Sequence, residues 1–389
     1  MNSVTNPYSP GAGARPAALT GRDDVLTAWE TSLQRVSRER IDQPLILHGL
    51  RGMGKTVLLA EFRRRALKRN WLVAKAEASI GSKLRDLLGE SLYEPLLEIS
   101  RPSAGKRALQ ALKTALSFKA SYDMTGAWSF GVDLSDSTGG GADTGDLNTD
   151  IRLVIRDVSA AAGEDNVGLA VLIDEAQDLS TEDLTTLCAV AHEAVQSGWP
   201  VLIALAGLPS LPQILAEAKS YAERFRYMQI TSLDEAAAID ALQDPAAEEG
   251  VDWEPYALAA AVEGAGRYPF FLQQIGHETW EAAPKSPITV ADVEVGIARG
   301  SAALDNGFFR VRWDRATPGE RNYLRAMKLA GNATIASSEV ASSLGKKAAQ
   351  VSTVRDRLIS KGLIYAPEHG LLAYTVPGMA AFIDRQTLE

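Results

Sequence analysis

Apolar and polar positions along this chain follow two periods, and the changes between them divide it. From Asp23 the residues Val25, Leu26, Trp29, Leu33 and Val36 recur at helical spacing, with Asp23 placed to cap the first turn. Residues 44–49 (PLILHG) form a short apolar run closed by glycine, which predicts a buried strand. Residues 55–70 return to helical spacing and end in arginines, which suit the negative end of a helix dipole. Further strands are expected at 72–76, 169–173, 201–206 and, shorter, 228–230, with helices at 82–99 and 106–118 and after residues 173 and 206. Strands alternating with helices predict an α/β core with a mostly parallel, doubly wound sheet.

After Ser232 the strand signal disappears. Residues 234–242, 254–262, 269–281 and 290–300 all read as helices, a small helical unit. From Thr317 the pattern is helix (318–329), helix (337–344), helix (348–360), then two strands (363–366 and 371–376). Three helices closed by a hairpin describe a winged helix-turn-helix. The expected division is a flexible arm over 1–18, rich in Pro, Gly and Ala, a core over 19–231, the helical unit over 232–304 and the winged helix over 305–389. The core is interrupted by an excursion at 117–146. There Trp128, Phe130, Val132 and Leu134 alternate like a hairpin, before the low-complexity, acidic run SDSTGGGADTGD.

Composition narrows the function classes. A chain of 389 residues suits two or three domains. With 46% hydrophobic and 23% charged residues, global disorder is excluded. The strand-like apolar runs are five or six residues long, against the roughly 20 that cross a bilayer. Residues 1–16 lack the apolar centre of a signal peptide, and Cys188 is the single cysteine, so no internal disulfide or cysteine-based zinc site is available. A cytoplasmic protein without a membrane partner is expected. Net charge is −9, but residues 305–389 hold 12 Lys and Arg against 8 Asp and Glu, leaving −13 for residues 1–304. If any part meets a polyanion, it is the C-terminal one.

Gly49-Leu-Arg-Gly52-Met53-Gly54-Lys55-Thr56 matches G-x-x-x-x-G-K-[ST], after a strand and before a helix. Glycines let the backbone form a nest of N–H groups around phosphate oxygens, and the helix N-terminus adds positive charge. Lys55 is expected to reach the β- and γ-phosphates, and the Thr56 hydroxyl to ligate Mg²⁺. Val57, next on the helix, is expected to border the nucleotide. The cofactors implied are ATP and Mg²⁺, with a P-loop fold around them. Residues 169–173 lead into Asp174 and Glu175. An acid at the tip of a central strand can face the metal beside the loop. Asp174 is expected to hold Mg²⁺ through water, and Glu175 to polarise the attacking water; Gln177 and Asp178 are weaker candidates for sensing the γ-phosphate. Arg224, in Glu223-Arg224-Phe225-Arg226, is a candidate arginine finger for a neighbouring subunit's ATP. The plainer reading pairs it with Glu223 or Glu217.

These residues together resemble the AAA+ and STAND branch of P-loop ATPases, in particular bacterial proteins similar to origin-recognition initiators and archaeal-type ATPases. The resemblance spans about residues 20–385. It rests on Gly21-Arg22-Asp23-Asp24, the phosphate loop, Asp174-Glu175-Ala-Gln177, Glu223-Arg224-Phe225 and Gly266-Arg267-Tyr268-Pro269. It implies that the helical unit is a lid over the nucleotide, that Arg22 lies beside the base, and that Arg267 and Pro269 border the nucleotide. One departure concerns 201–206. In the family this strand ends in a polar residue facing the γ-phosphate; here it ends Ala206-Gly207-Leu208-Pro209. Slow or partner-dependent hydrolysis is compatible with that end.

The helix at 348–360 is the candidate recognition helix. Val351, Val354 and Leu358 would face the core, while Lys346, Lys347, Gln350, Thr353 and Arg357 offer basic and amide groups to double-stranded DNA. Winged helices also serve as protein-contact modules. The aromatic-basic stretch Phe308, Phe309, Arg310, Arg312, Trp313 and Arg315 is read as interdomain packing rather than nucleic-acid stacking. Three functions remain open: an ATP-dependent DNA-associated switch that assembles as a homo-oligomer with ATP, a STAND-like signalling ATPase whose winged helix meets a protein partner, and an ATP-binding scaffold with negligible turnover.

Overall fold

The three central strands of the core are apolar up to their tips because helices cover both faces of their sheet. A computed structural model describes residues 1–11, 13–100, 105–121, 141–164, 166–329 and 334–386. In chain order the core comprises α1 (Asp23–Val36), β1 (Leu45–His48), α2 (Lys55–Leu67), β2 (Leu72–Glu77), α3 (Leu84–Ile99), α4 (Lys106–Ser121) and α5 (Leu147–Gly163). β3 (Leu169–Asp174), α6 (Thr181–Ser197), β4 (Val201–Gly207), α7 (Leu211–Ala218) and β5 (Arg226–Gln229) complete it. The sheet order is β2-β3-β4-β1-β5, with every pair parallel. Ile46, Val171, Ile203 and Leu205 pack on one face with α3 to α6, whereas Leu45, Leu47, Ala170 and Leu172 pack on the other with α1 and α2. This two-residue alternation is the strand period, hidden in sequence because both faces are dry.

Register decides where the chemistry sits. Leu47 pairs with Ala206 and Ile173 with Leu205. The residues leaving β1 and β3 therefore emerge at one level, on either side of the end of β4.

Four helices follow: α8 (Glu235–Glu248), α9 (Pro255–Gly264), α10 (Pro269–Ala282) and α11 (Val290–Leu304). The N-terminal residues are not the free arm expected from their composition. Tyr8 is 2% exposed and donates its hydroxyl to Leu242 O at 2.5 Å. Asn6 reaches Glu281 Oε1 at 2.9 Å, and Trp280 Nε1 donates to Asn2 O at 3.0 Å. Burial of one aromatic ring, with its polar groups satisfied, offsets the ordering of a short segment.

The helical unit and the C-terminal unit are not separated by a linker. α11 runs on through a π-helical turn at Asp305–Phe309 into α12 (Arg310–Asp314). Beyond it lie α13 (Pro318–Leu329), β6 (Ile335–Ala336), α14 (Ser337–Ser343), α15 (Ala348–Ser360), β7 (Ile364–Tyr365), β8 (Leu371–Tyr374) and α16 (Met379–Asp384). The three strands are antiparallel in the order β6-β8-β7. Trp313, Tyr323, Leu358 and Phe382 belong to a core of this unit's own. Of the excursion expected at 117–146, residues 117–121 belong to α4, and the alternating segment with Trp128, Phe130, Val132 and Leu134 lies outside the described residues.

Candidate nucleotide site

The loop between β1 and α2 is built from glycines for steric reasons. A Cβ at Gly49 would lie 2.1 Å from Ile230 O, and Gly52 and Gly54 have φ of 80° and 90°, a region that side chains disfavour. Lys55, at the start of α2, is 6% exposed, and its ammonium donates to Gly49 O and Leu50 O, each at 2.8 Å. Burial pushes its pKa down to about 8, opposed by Glu175 and Asp174 and assisted by Arg51. The Thr56 hydroxyl donates to Asp174 Oδ2 at 2.6 Å, so the predicted metal pair is in direct contact. Among the described residues no group of three or more His, Cys, Asp or Glu could hold a metal by itself. One hydroxyl and one carboxylate suit Mg²⁺, which completes its shell with water and substrate phosphates. The nest, the buried ammonium and this pair therefore fit a magnesium-bound nucleoside triphosphate: Lys55 and the loop for its phosphates, Thr56 and Asp174 for the cation.

Glu175 holds a left-handed backbone, φ 49°, a conformation unusual outside glycine and found at strained functional sites. Its carboxylate is engaged from two sides: Arg51 Nη1 at 3.0 Å and Gln177 Nε2 at 2.7 Å. Gln177 in turn accepts from Leu208 N at 2.9 Å. The apolar end of β4 is thus provided with a polar group from the neighbouring strand's loop. Gly207 makes room for it, since a Cβ there would stand 2.6 Å from Gln177 Oε1.

Two sequence expectations are redistributed. The Arg22 guanidinium, expected beside the base, donates to Thr231 O at 2.7 Å and Met53 O at 3.3 Å, tying the phosphate loop to the end of β5. Arg267 lies exposed at φ 57°, and the side chain that its turn directs onto the loop is Tyr268. A Cβ at Gly52 would lie 2.8 Å from Tyr268 Cε1. Pro269 supplies the first residue of α10 and Val57 follows Thr56 on α2. Sequence reasoning passed over Arg51 and Tyr268, although both stand inside motifs it used: Arg51 is at a variable position of the loop, and the Glu175 it meets is 124 residues away.

The C-terminal unit meets the same loop. Arg51 N donates to Thr375 O at 3.1 Å, and a Cβ at Gly362 would lie 2.9 Å from Arg51 Nη2. On α15, Val351 and Leu358 are buried while Gln350, Thr353 and Arg357 are exposed, as are Lys346 and Lys347 just before it. Arg224 is exposed at the end of a short 3₁₀ turn. Its neighbour Arg226 reaches Asp42 at 3.4 Å, and Glu217 accepts from Gln213; among the described residues Arg224 has no ion pair.

A loop of this build, after the first strand of a five-stranded parallel sheet with an acidic strand tip across from it, defines the P-loop nucleotide hydrolases. Residues 18–204 match the family profile described as AAA ATPase domain, so the chain carries an AAA ATPase domain. Residues 306–383 match a domain of unknown function, DUF8462. Among solved structures, the Walker-type ATPase Paby2304 of Pyrococcus abyssi is similar with a TM-score of 0.58 at 18% identity, over 95% of this chain and 97% of that one. Cdc6p of Pyrobaculum aerophilum gives 0.48 at 14%, over 99% and 97%. ORC1 of Aeropyrum pernix, in a complex with DNA, gives 0.43 at 14%, over 95% and 93%. No curated protein matches the chain by sequence. No helix among the described residues is long and apolar enough to cross a membrane.

Proposed function

We propose that this ATPase is a nucleotide-gated switch whose ATP state decides whether the C-terminal unit stays seated on the phosphate loop or is released to contact double-stranded DNA. The observation that carries this reading is the hydrogen bond from Arg51 N to Thr375 O. Backbone N–H groups of the loop are the donors a triphosphate draws on. A donor engaged by the C-terminal unit and a donor engaged by phosphate are competing states, so nucleotide and docking are thermodynamically linked. We read the C-terminal unit as a winged helix, with Lys346, Lys347, Gln350, Thr353 and Arg357 as its DNA-facing group. Their exposure beside the buried Val351 and Leu358 supports that role. The docking contact equally favours a second reading in which the released unit meets a protein partner.

Fluorescence anisotropy with a labelled duplex separates the two. Affinity is expected to rise with ATP and fall with salt. Replacing Lys346 and Arg357 together removes at most two phosphate contacts and should make the log–log salt slope shallower by up to roughly 2 units. If the protein binds no duplex at low salt, with ATP or without, the exposed face belongs to a protein contact.

Assembly is the other part of the proposal. Arg224 would complete a neighbour's site, which its exposed and unpaired position supports. Turnover should then rise with protein concentration, and Arg224→Ala should lower it about tenfold or more with little change in nucleotide affinity. Turnover independent of concentration would leave Arg224 a surface residue.

A further inference from the structure

We infer that Arg312 contacts the terminal phosphate of ATP within its own chain, together with the hydroxyl of Tyr268; the inference rests on the reading of the loop as the ATP site. Arg312 belongs to the aromatic-basic stretch that sequence assigned to packing. The packing exists, and it aims the arginine. The π-helical turn at Asp305–Phe309 shifts the helical phase just before α12. The Arg312 guanidinium lies 3.9 Å over the Phe308 ring, and its Nη1 donates to Phe308 O at 2.5 Å. Phe308 packs, tilted at 32°, 4.8 Å from Phe270, two residues from the Tyr268 that covers Gly52.

The chemistry around this cluster is incomplete without an anion. Among the described residues Arg312 has no carboxylate partner; the Phe308 carbonyl is its single hydrogen-bond acceptor. Within electrostatic reach are two further cations, Arg51 and Arg315, against Glu175, and burial with Arg51 pushes the Arg312 pKa down to about 10. It remains a cation at neutral pH. The Glu175 carboxylate already accepts from Arg51 and Gln177. Tyr268 is 3% exposed, and its hydroxyl is buried without a hydrogen-bond partner; a Cβ at Gly52 would lie 3.0 Å from it. A buried donor and a desolvated excess of positive charge are costly unless a ligand supplies acceptors. Tyr268 stands against Gly52 of the phosphate loop, and Arg312 is within electrostatic reach of Tyr268, Arg51 and Glu175, on the side where hydrolysis would occur. ATP differs from ADP by the charge and oxygens of that end.

Calorimetric titration of ATP and of ADP tests the assignment. Arg312→Ala is expected to weaken ATP by about 10- to 100-fold, the worth of a charge-assisted contact, with ADP changed by less than about threefold. Arg312→Lys should recover part of the ATP affinity, because the cation remains while the planar fork is lost. Tyr268→Phe keeps the ring against Gly52, and hence the fold, and should weaken ATP several-fold while sparing ADP. Equal losses for both nucleotides in these variants would make Arg312 a purely structural residue, and unchanged ATP affinity in all of them overturns the inference while the ATP site stands. If the unaltered protein binds neither nucleotide, the site itself and the inference fail together.

Discussion

Lys55→Ala is expected to lose ATP binding by at least about 100-fold, since the ammonium offers two or more charge-assisted contacts of roughly 1.5–3 kcal/mol each. The substitution removes the buried cation at the start of α2, whose two acceptors in the structure are loop carbonyls, Gly49 O and Leu50 O. The residue also sets a pH dependence. With a pKa of about 8 in the protein alone, Lys55 is protonated below pH 8 and progressively neutral above it. A polyanion beside it raises that pKa, so binding above pH 8 takes up a proton. ATP affinity should therefore fall by up to about tenfold per pH unit above 8, until the raised pKa is passed. Calorimetry in two buffers of different ionisation enthalpy measures the uptake. Lys55→Ala should show none of it, and undiminished ATP affinity in this variant would remove the loop from the binding site.

The strands were legible in the sequence because parallel strands buried on both faces are short apolar runs, and β1 to β5 fall within two or three residues of the positions read. The phosphate loop and Asp174 were legible for a different reason: their chemistry demands particular residues at fixed local spacing. What sequence could not supply is contact between distant positions. Gln177 was noted for its place in a motif, but its service to Leu208 N depends on β3 and β4 being neighbours. A polar side chain thus stands at the end of β4, its amide engaged by Glu175, Asp178 and Leu208 N, although that strand's own sequence supplies none. The helix read over 290–300 runs on because the π-helical turn preserves helical hydrogen bonding while changing phase, and a hydrophobic period reads such a change as an end. Likewise the N-terminal residues have the composition of a loose segment, and the side chains of Tyr8 and Asn6 help anchor them.

The family's expectation for Glu175 leads to the second large effect. Glu175→Gln should retain ATP binding within a few-fold and lower turnover by about 10²- to 10⁴-fold, the range of general acid–base contributions. The amide is isosteric, so the left-handed turn at this position and the contact with Gln177 can persist. It carries no charge to polarise water. The structure adds a consequence that the motif alone does not contain. In the unaltered protein the carboxylate is bound to Arg51 at 3.0 Å, and Arg51 is also the residue whose backbone N–H meets Thr375. One carboxylate oxygen is occupied by Arg51 and the other by Gln177, so neither is free to orient a water. If Glu175 acts on water, Arg51 is expected to turn elsewhere first, and Arg51 is tied through its own backbone to the C-terminal unit. Glu175→Gln should therefore also weaken that docking, and limited proteolysis should cut the C-terminal unit faster in the variant than in the parent protein. Single-turnover kinetics give the chemical step and proteolysis gives the docking. Loss of turnover with unchanged proteolysis would make Glu175 catalytic but uncoupled from the switch. Turnover at the parent rate would leave it with a single role, as the partner that holds Arg51 in place.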